Sequence, residues 1–249
     1  SITTIADIVL SSGECLSGTA LTLASSGKIT VNGTLTASGD TTLTATGDLT
    51  VTGDITGVFA HADDSLTISG LNVTLANIVL QNTSGTDKTL SITANASLTT
   101  GDMTLIGIDF IINSNGDTTI GGDIVVDPST VTQTINDGDL TFNGTITVTD
   151  GSSYYIIANG GSVTFNQNVL VAGGSLLDVT ATHGTEGGAV VFNELVDIAA
   201  ATLNINAAGD ISFAKGLTAA DTLTYGGVTY NVYQDGESNT YFENGGSYY

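Results

Sequence analysis

The residues with the greatest capacity for chemistry are two histidines. His61 lies in Ala-His-Ala-Asp-Asp and His183 lies in Thr-His-Gly-Thr-Glu, so each could serve an acid–base or metal site. Neither histidine belongs to a spacing that metal sites use, and we interpret both as solvated turn residues. The sequence also lacks a Gly-x-Ser-x-Gly nucleophile elbow, a phosphate-binding loop and a Cys/His cluster. These patterns favour a protein that is not an enzyme.

Aspartates that follow glycine form the second candidate group. Three of them, Asp40, Asp48 and Asp54, are candidate Ca²⁺ ligands, because carboxylates stacked in register would offer hard oxygen atoms to the ion. Their spacing does not match the nine-residue period of calcium-binding solenoid repeats. Aspartate also favours turns through its own backbone hydrogen bonds. We therefore expect no cofactor, with Ca²⁺ at these three residues as the alternative.

Threonine pairs and glycosylation sequons are two further surface patterns. Thr-x-Thr pairs such as Thr42/Thr44 would stand on an outward face, where a regular array could bind ice. Because the repeat units vary in length, we expect no flat lattice. Five Asn-x-Ser/Thr sequons become relevant if the source organism glycosylates its surface proteins. They begin at Asn32, Asn72, Asn82, Asn95 and Asn143.

The charge balance excludes several classes of partner. The 249 residues carry a formal net charge of −22, with three lysines and no arginine. Such a surface repels phosphate backbones and anionic headgroups, so we expect nucleic acid and membrane surfaces to be poor partners. The sequence has no stretch of 18 apolar residues, so we also expect no membrane insertion. A lyase that acts on an anionic polysaccharide is disfavoured for the same reason. A two-carboxylate hydrolase stays an alternative, because aspartate is plentiful.

Internal repeats indicate the elements that must position these residues. Four phenylalanines each end a short segment in which inward apolar residues alternate with outward ones, as in a strand with one buried face. An aliphatic residue lies two positions before each phenylalanine. They are 23, 27 and 21 residues apart, and we expect them to form an internal ladder with one ring in each coil. The four are Phe142, Phe165, Phe192 and Phe213.

Each repeat contains three short apolar runs separated by turns. In one unit these are Val190–Phe192, Val196–Ile198 and Leu203–Ile205. The pattern predicts an all-β, right-handed parallel β-helix of about 9–10 three-sided coils, each of roughly 22 residues. At about 4.8 Å per coil, the rod would be roughly 45–50 Å long. We assign residues 1–224 to this solenoid.

The composition changes over residues 225–249. Six of the eight tyrosines lie here, and the segment predicts a β-hairpin or arm. We expect its aromatic side chains to form an assembly surface, because tyrosine is enriched at interfaces. The residues are Tyr225, Tyr230, Tyr233, Tyr241, Phe242, Tyr248 and Tyr249.

The repeats resemble those of filamentous-haemagglutinin-type adhesins. The resemblance rests on units such as Gly138-Asp-Leu-Thr-Phe-Asn-Gly144, and it is best over residues 100–224. It implies a right-handed parallel β-helix at a bacterial surface or secreted from the cell. It supplies no catalytic residues.

The two ends of the solenoid lead to the functional prediction. An open β-solenoid end recruits another chain unless it is capped. Ile2, Ile5 and Ile8 make the N-terminal segment apolar on one face, and the tyrosine-rich arm lies at the other end. We therefore expect an extracellular structural protein that polymerises head to tail, because such contacts do not close. The alternatives are a monomeric adhesin that binds a glycan or host surface, and a polysaccharide-active enzyme.

Overall fold

Parallel strands stacked in three walls make up the solenoid. The computed structural model describes residues 1–11, 16–61, 64–84, 88–182, 188–198, 201–218, 222–225, 228–234, 240–244 and 247–248. Only the backbone is described for residues 16–19 and 38 and for the described residues from 218 onward. The described residues contain no helix. The β-solenoid that the repeats predict is confirmed, whereas its right-handed winding stays a prediction.

Wall A holds the longest strands. It begins with β1 and takes in the second halves of β3 and β5 and the first halves of β8 and β10. Its members are β1 (Ile2–Thr4), β3 (Leu16–Ser25), β5 (Leu35–Ala45), β8 (Ser65–Leu75), β10 (Thr89–Thr100), β12 (Asp109–Ser114), β15 (Thr130–Ile135), β18 (Ser153–Ala158), β21 (Leu176–Ala181), β24 (Thr202–Ala207) and β27 (Thr222–Tyr225).

Wall B follows wall A in every coil and consists mostly of three-residue strands. It shares the second halves of β8 and β10. The others are β2 (Ile8–Leu10), β4 (Ile29–Val31), β6 (Leu49–Val51), β13 (Thr118–Ile120), β16 (Leu140–Phe142), β19 (Val163–Phe165), β22 (Val190–Phe192) and β25 (Ile211–Phe213).

Wall C closes each coil and shares the first halves of β3 and β5. The others are β7 (Ile55–Phe59), β9 (Ile78–Asn82), β11 (Met103–Ile106), β14 (Ile124–Asp127), β17 (Ile146–Val148), β20 (Val169–Val171), β23 (Val196–Ile198) and β26 (Leu217–Thr218). The strands are short because β-branched and aliphatic residues alternate with polar ones for only a few positions before a turn-forming residue.

In the described part of the chain, walls B and C each stack ten strand segments, in line with the 9–10 coils that we expected. One coil spans 20 residues from Ile29 to Leu49 but 27 residues from Val163 to Val190. The paired strands nevertheless keep their register, so coils of different length stack directly on one another. Variable repeat length therefore leaves the walls regular.

Inward residues of the three walls form a single core. Its largest feature is the phenylalanine column of wall B, in which Phe142, Phe165 and Phe192 are buried. Successive ring centroids lie 5.0, 4.5 and 4.8 Å apart from Phe142 to Phe213, and the ring planes are within 7° of parallel. The spacing follows from the stacking of strands at roughly 4.8 Å, which places one ring directly above another.

Antiparallel strands follow the last parallel strand. β27 pairs with β24 in parallel, and β28 (Val228–Gln234), β29 (Thr240–Asn244) and β30 (Ser247–Tyr248) then add to one another in antiparallel order. The structure does not describe the side chains of residues 225–249, where the predicted tyrosine-rich surface lies. The arm as an aromatic surface therefore stays a prediction.

Candidate functional site

Polar side chains at the corners form ladders that join successive coils. At the corner before wall B, Asp117 Oδ1 accepts the backbone N–H of Asp139 at 3.0 Å. Asp139 Oδ1 accepts that of Ser162 at 2.8 Å, and Ser162 Oγ accepts that of Ala189 at 3.1 Å. The corner carboxylates thus satisfy backbone donors that the strands cannot reach, and this explains why aspartate recurs after glycine.

A second ladder runs along the corner before wall C. Asn77 Oδ1 accepts the backbone N–H of Asp102 at 3.1 Å, and Asp102 Oδ1 accepts that of Asp123 at 2.9 Å. Asp123 Oδ1 accepts that of Thr145 at 2.7 Å. The sequence indicated turns at these positions but gave no sign that their side chains pair across coils, because the partners are 21–25 residues apart.

The three candidate Ca²⁺ ligands lie at three different corners of one coil. Asp40 accepts a hydrogen bond from the Ser65 hydroxyl at the corner before wall A. Asp48 pairs with Lys28 Nζ at 2.8 Å before wall B, and Asp54 accepts from the Asn77 amide at 3.2 Å before wall C. The fold does not bring them together. Within the described ranges, no three His, Cys, Asp or Glu side chains form a group that could hold one metal ion.

The Lys28–Asp48 pair has the clearest electrostatic signature. The hydrogen bond from Lys28, followed by that from Asn72, lowers the pKa of Asp48 below its ordinary value. The hydrogen bond to Asp48 raises the pKa of Lys28. The stabilisation is therefore lost as pH falls through the lowered pKa of Asp48, and lost as pH rises through the raised pKa of Lys28. Because both groups are solvent-exposed, salt screens the pair and it contributes little.

The other two lysines also have partners. Lys215 Nζ lies 2.7 Å from Glu194 Oε1, and Lys88 is buried with its ammonium group donating to the His61 carbonyl at 2.5 Å. The ammonium groups on the surface are thus engaged by carboxylates of their own chain. The expectation that anionic polymers are poor partners stays a prediction.

Hydrogen bonds to Asp64 hold the backbone at His61. Asp64 is buried, and its Oδ2 accepts the backbone N–H groups of Ala60 and His61 at 2.7 and 2.8 Å. The exposed imidazole of His61 has its Nδ1 3.7 Å from the same oxygen. Asp64 therefore fixes the backbone at Ala60 and His61, and the His61 imidazole projects into solvent. His183 lies outside the described residues.

The outward face of wall B carries an unbroken file of threonines. Strand register pairs each of them with the next across seven coils, and their side chains are exposed or half-buried. They are Thr30, Thr50, Thr74, Thr99, Thr119, Thr141 and Thr164. The threonines keep this single file although the repeats differ in length. The expectation that they form no flat lattice stays a prediction.

The N-terminal end exposes apolar surface. Ile2 is 47% exposed, although the residue below it in the same column, Leu23, is completely buried. Ile5 is 92% and Val9 64% exposed, whereas Ile8 is 7% exposed and belongs to the core. Of the three predicted assembly isoleucines, Ile2 and Ile5 therefore lie at the surface.

A polar pair inside the core was missed by sequence reasoning. The Tyr154 hydroxyl donates to Gln133 Oε1 at 2.7 Å, and both side chains are fully buried. Gln133 Nε2 has no hydrogen-bond partner within the described residues. Burial raises the pKa of Tyr154 far above its ordinary value, so the phenol stays neutral. Gln133 alternates with Val131 and Ile135, and this position in the strand was the available signal for an inward glutamine.

The polar pair predicts a non-additive pattern of stability. Tyr154→Phe leaves the whole Gln133 amide unpaired and should cost about 1–3 kcal/mol, and Gln133→Leu should cost a similar amount by stranding the phenol. The double variant removes both polar groups and should be close to wild type. Denaturant titrations of the four proteins measure this coupling. Additive losses in the double variant would show that the pair does not act as a unit.

Comparison of the chain with family models, curated proteins and solved structures found no match. The resemblance to adhesin repeats therefore stays a hypothesis based on the residues alone. None of the described segments forms a helix with the length and apolarity needed to cross a lipid bilayer.

Proposed function

We propose that this protein is an extracellular structural subunit that assembles head to tail into a cell-surface filament. The open N-terminal edge carries the proposal. In the described part of the chain, no strand pairs with the outer edges of β1 and β2, and Ile2 at the end of a core column is half-exposed. Every internal coil covers this edge with its neighbour, and a second copy would do the same.

The opposite end offers a segment that could reach the neighbouring copy. Wall A continues through β27, after which β28–β30 add three antiparallel layers. At roughly 4.8 Å per layer, these strands extend about 14 Å beyond β27. We propose that residues 225–249 clasp the N-terminal coil of the next subunit. A contact between two different surfaces repeats without closing, which generates a fibre.

The corner ladders support a structural role over catalysis. A glycosidase needs two carboxylates free to act on opposite sides of one bond. Here Asp102, Asp117, Asp123 and Asp139 each accept a backbone hydrogen bond from the following coil. Each of these carboxylates therefore links two successive coils.

One observation favours the monomeric adhesin as a second candidate. Tyr155 stands outward on wall A, between Thr132 and Asp178 of the adjacent coils, and its ring is partly exposed. An amphipathic ring beside hydroxyl and carboxylate groups suits a glycan surface. Binding of a neutral glycan that Tyr155→Ala abolishes in a monomer would favour this role over the filament.

Substitution of the most exposed N-terminal isoleucine tests the proposal. Burying one isoleucine contributes about 1.5–3 kcal/mol, so Ile5→Asp should weaken each end contact at least roughly tenfold. Sedimentation velocity at physiological salt, which screens the repulsion between acidic subunits, measures polymer mass.

Ile111→Asp provides the matched control. Ile111 is a 40%-exposed isoleucine on wall A, far from both ends, and its replacement should leave the polymer intact. Equal polymer mass for both variants would show that the N-terminal edge is not a contact surface.

A further inference from the structure

The five sequons differ in whether their amide nitrogens are free in the folded chain. N-linked glycosylation attaches a sugar to Asn Nδ2, so the nitrogen must lie at the surface and must not hold the fold together. The hydrogen bonds of the solenoid separate the five asparagines on this criterion. This question is independent of the proposed filament.

Two sequon asparagines are used by the fold. Asn72 Nδ2 donates to Asp48 Oδ1 at 2.8 Å, and its Oδ1 accepts from Ser97 Oγ at 2.8 Å. Asn82 Nδ2 donates to the Gly107 carbonyl at 2.9 Å, and its Oδ1 accepts the Ser84 N–H at 2.9 Å. A sugar on either nitrogen would displace a bond between coils.

Asn32 and Asn143 occupy intermediate positions. Asn32 is half-buried beside wall B. Asn143 is exposed, but its Oδ1 accepts from Asn166 Nδ2 at 2.8 Å, and Asn166 in turn accepts from Asn193 at 2.8 Å. The Asn143 amide is therefore fixed at the end of an amide ladder, which limits the orientations open to a substituent on its nitrogen.

Asn95 differs from the other four. It is exposed at the corner between the two halves of β10, where the register with β8 shifts between Ala94 and Ser97. Within the described residues its side chain makes no hydrogen bond. The next asparagine in the same row, Asn115, pairs with Asn136 at 2.9 Å instead. Asn95 is thus exposed, and among the described residues its amide makes no hydrogen bond that a sugar would displace.

We propose that Asn95 is an N-glycosylation site, with Asn95-Ala-Ser97 as the acceptor. The donor class is a lipid-linked oligosaccharide pyrophosphate. A bond forms between Asn95 Nδ2 and C1 of the first sugar, and the bond from C1 to the phosphate oxygen breaks. The lipid pyrophosphate leaves with the bonding electrons, and the amide proton passes to a base of the transferase.

Secretion of the full chain from eukaryotic cells tests the site. Folded protein is selected by resistance to protease and analysed by peptide mass spectrometry, with amidase release of the glycan as a second readout. We expect a glycan at Asn95 and unmodified Asn72 and Asn82. Asn95→Gln should remove the Asn95 glycan without loss of folded yield, because no hydrogen bond is broken.

Asn143→Gln is the matched control, since it alters another exposed sequon and should leave the Asn95 glycan in place. Folded, secreted chain in which Asn95 is bare would overturn the proposal, whether or not another sequon carries sugar. A glycan on Asn72 or Asn82 in the folded fraction would overturn the argument from hydrogen bonding.

Discussion

Phe165→Ala should lower the free energy of unfolding of the second half of the solenoid by about 3–5 kcal/mol. Phe165 is buried between two parallel rings, whose centroids lie 5.0 Å away at Phe142 and 4.5 Å away at Phe192. Alanine would leave a cavity that neighbouring strands cannot fill, because their register is fixed by hydrogen bonds on both sides. Both stacking contacts would be lost.

Thr164→Ala provides the control for this prediction. Thr164 is in the same strand but faces outward, and surface replacements of this kind usually change stability by about 0.5 kcal/mol or less. Denaturant titration gives the free energies. Amide hydrogen exchange over β16, β19 and β22 shows whether the loss is local, as expected for a stack of repeats. A cost for Phe165→Ala below roughly 1 kcal/mol would show that the aromatic column does not hold these coils.

Gly144→Ala should be at least as damaging, for a reason that concerns the backbone. A Cβ atom at Gly144 would overlap the carbonyl group of Gly122 in the coil below, and it would lie 2.5 Å from the Asp123 nitrogen. These are backbone atoms, which no change of rotamer can move away. Relief requires separation of two coils at the corner before wall C. Overpacking usually costs about 1–3 kcal/mol, and we expect a cost at or above the upper end of that range because the clash is with backbone atoms.

Gly151→Ala separates this clash from the ordinary cost of replacing glycine. Gly151 has a φ of 77°, yet a Cβ there would meet nothing within 4 Å. Its replacement should therefore cost about 1–2 kcal/mol, from the left-handed backbone alone. Thermal unfolding of both variants measures the difference. Similar losses in the two would mean that the corner can open without penalty.

The sequence pattern predicted the strands of the walls but not the side-chain contacts at the corners. The alternation in Leu140–Phe142 and Val163–Phe165 fixed which residues point inward, because a strand has a period of two. The corner ladders depend on residues one coil away, such as Asp117 and Asp139. Nothing local in the chain specifies that contact.

Two further predictions differ from the structure for the same reason, because the sequence does not show which residues become neighbours in space. The sequence marked Ile2, Ile5 and Ile8 as equivalent, but Ile8 pairs with Ile29 inside wall B, whereas Ile5 lies in the corner. Three aspartates in one coil resembled a ligand set, but the three-sided winding directs Asp40, Asp48 and Asp54 to separate corners. Chain proximity and spatial proximity diverge in a solenoid.

Electron microscopy of the purified chain at physiological salt tests the central claim most directly. End-to-end assembly predicts unbranched filaments one solenoid wide, whose lengths are multiples of a subunit rod of roughly 45–50 Å. These filaments should disappear when residues 225–249 are deleted. A uniform population of single short rods at every protein concentration would contradict assembly through the solenoid ends.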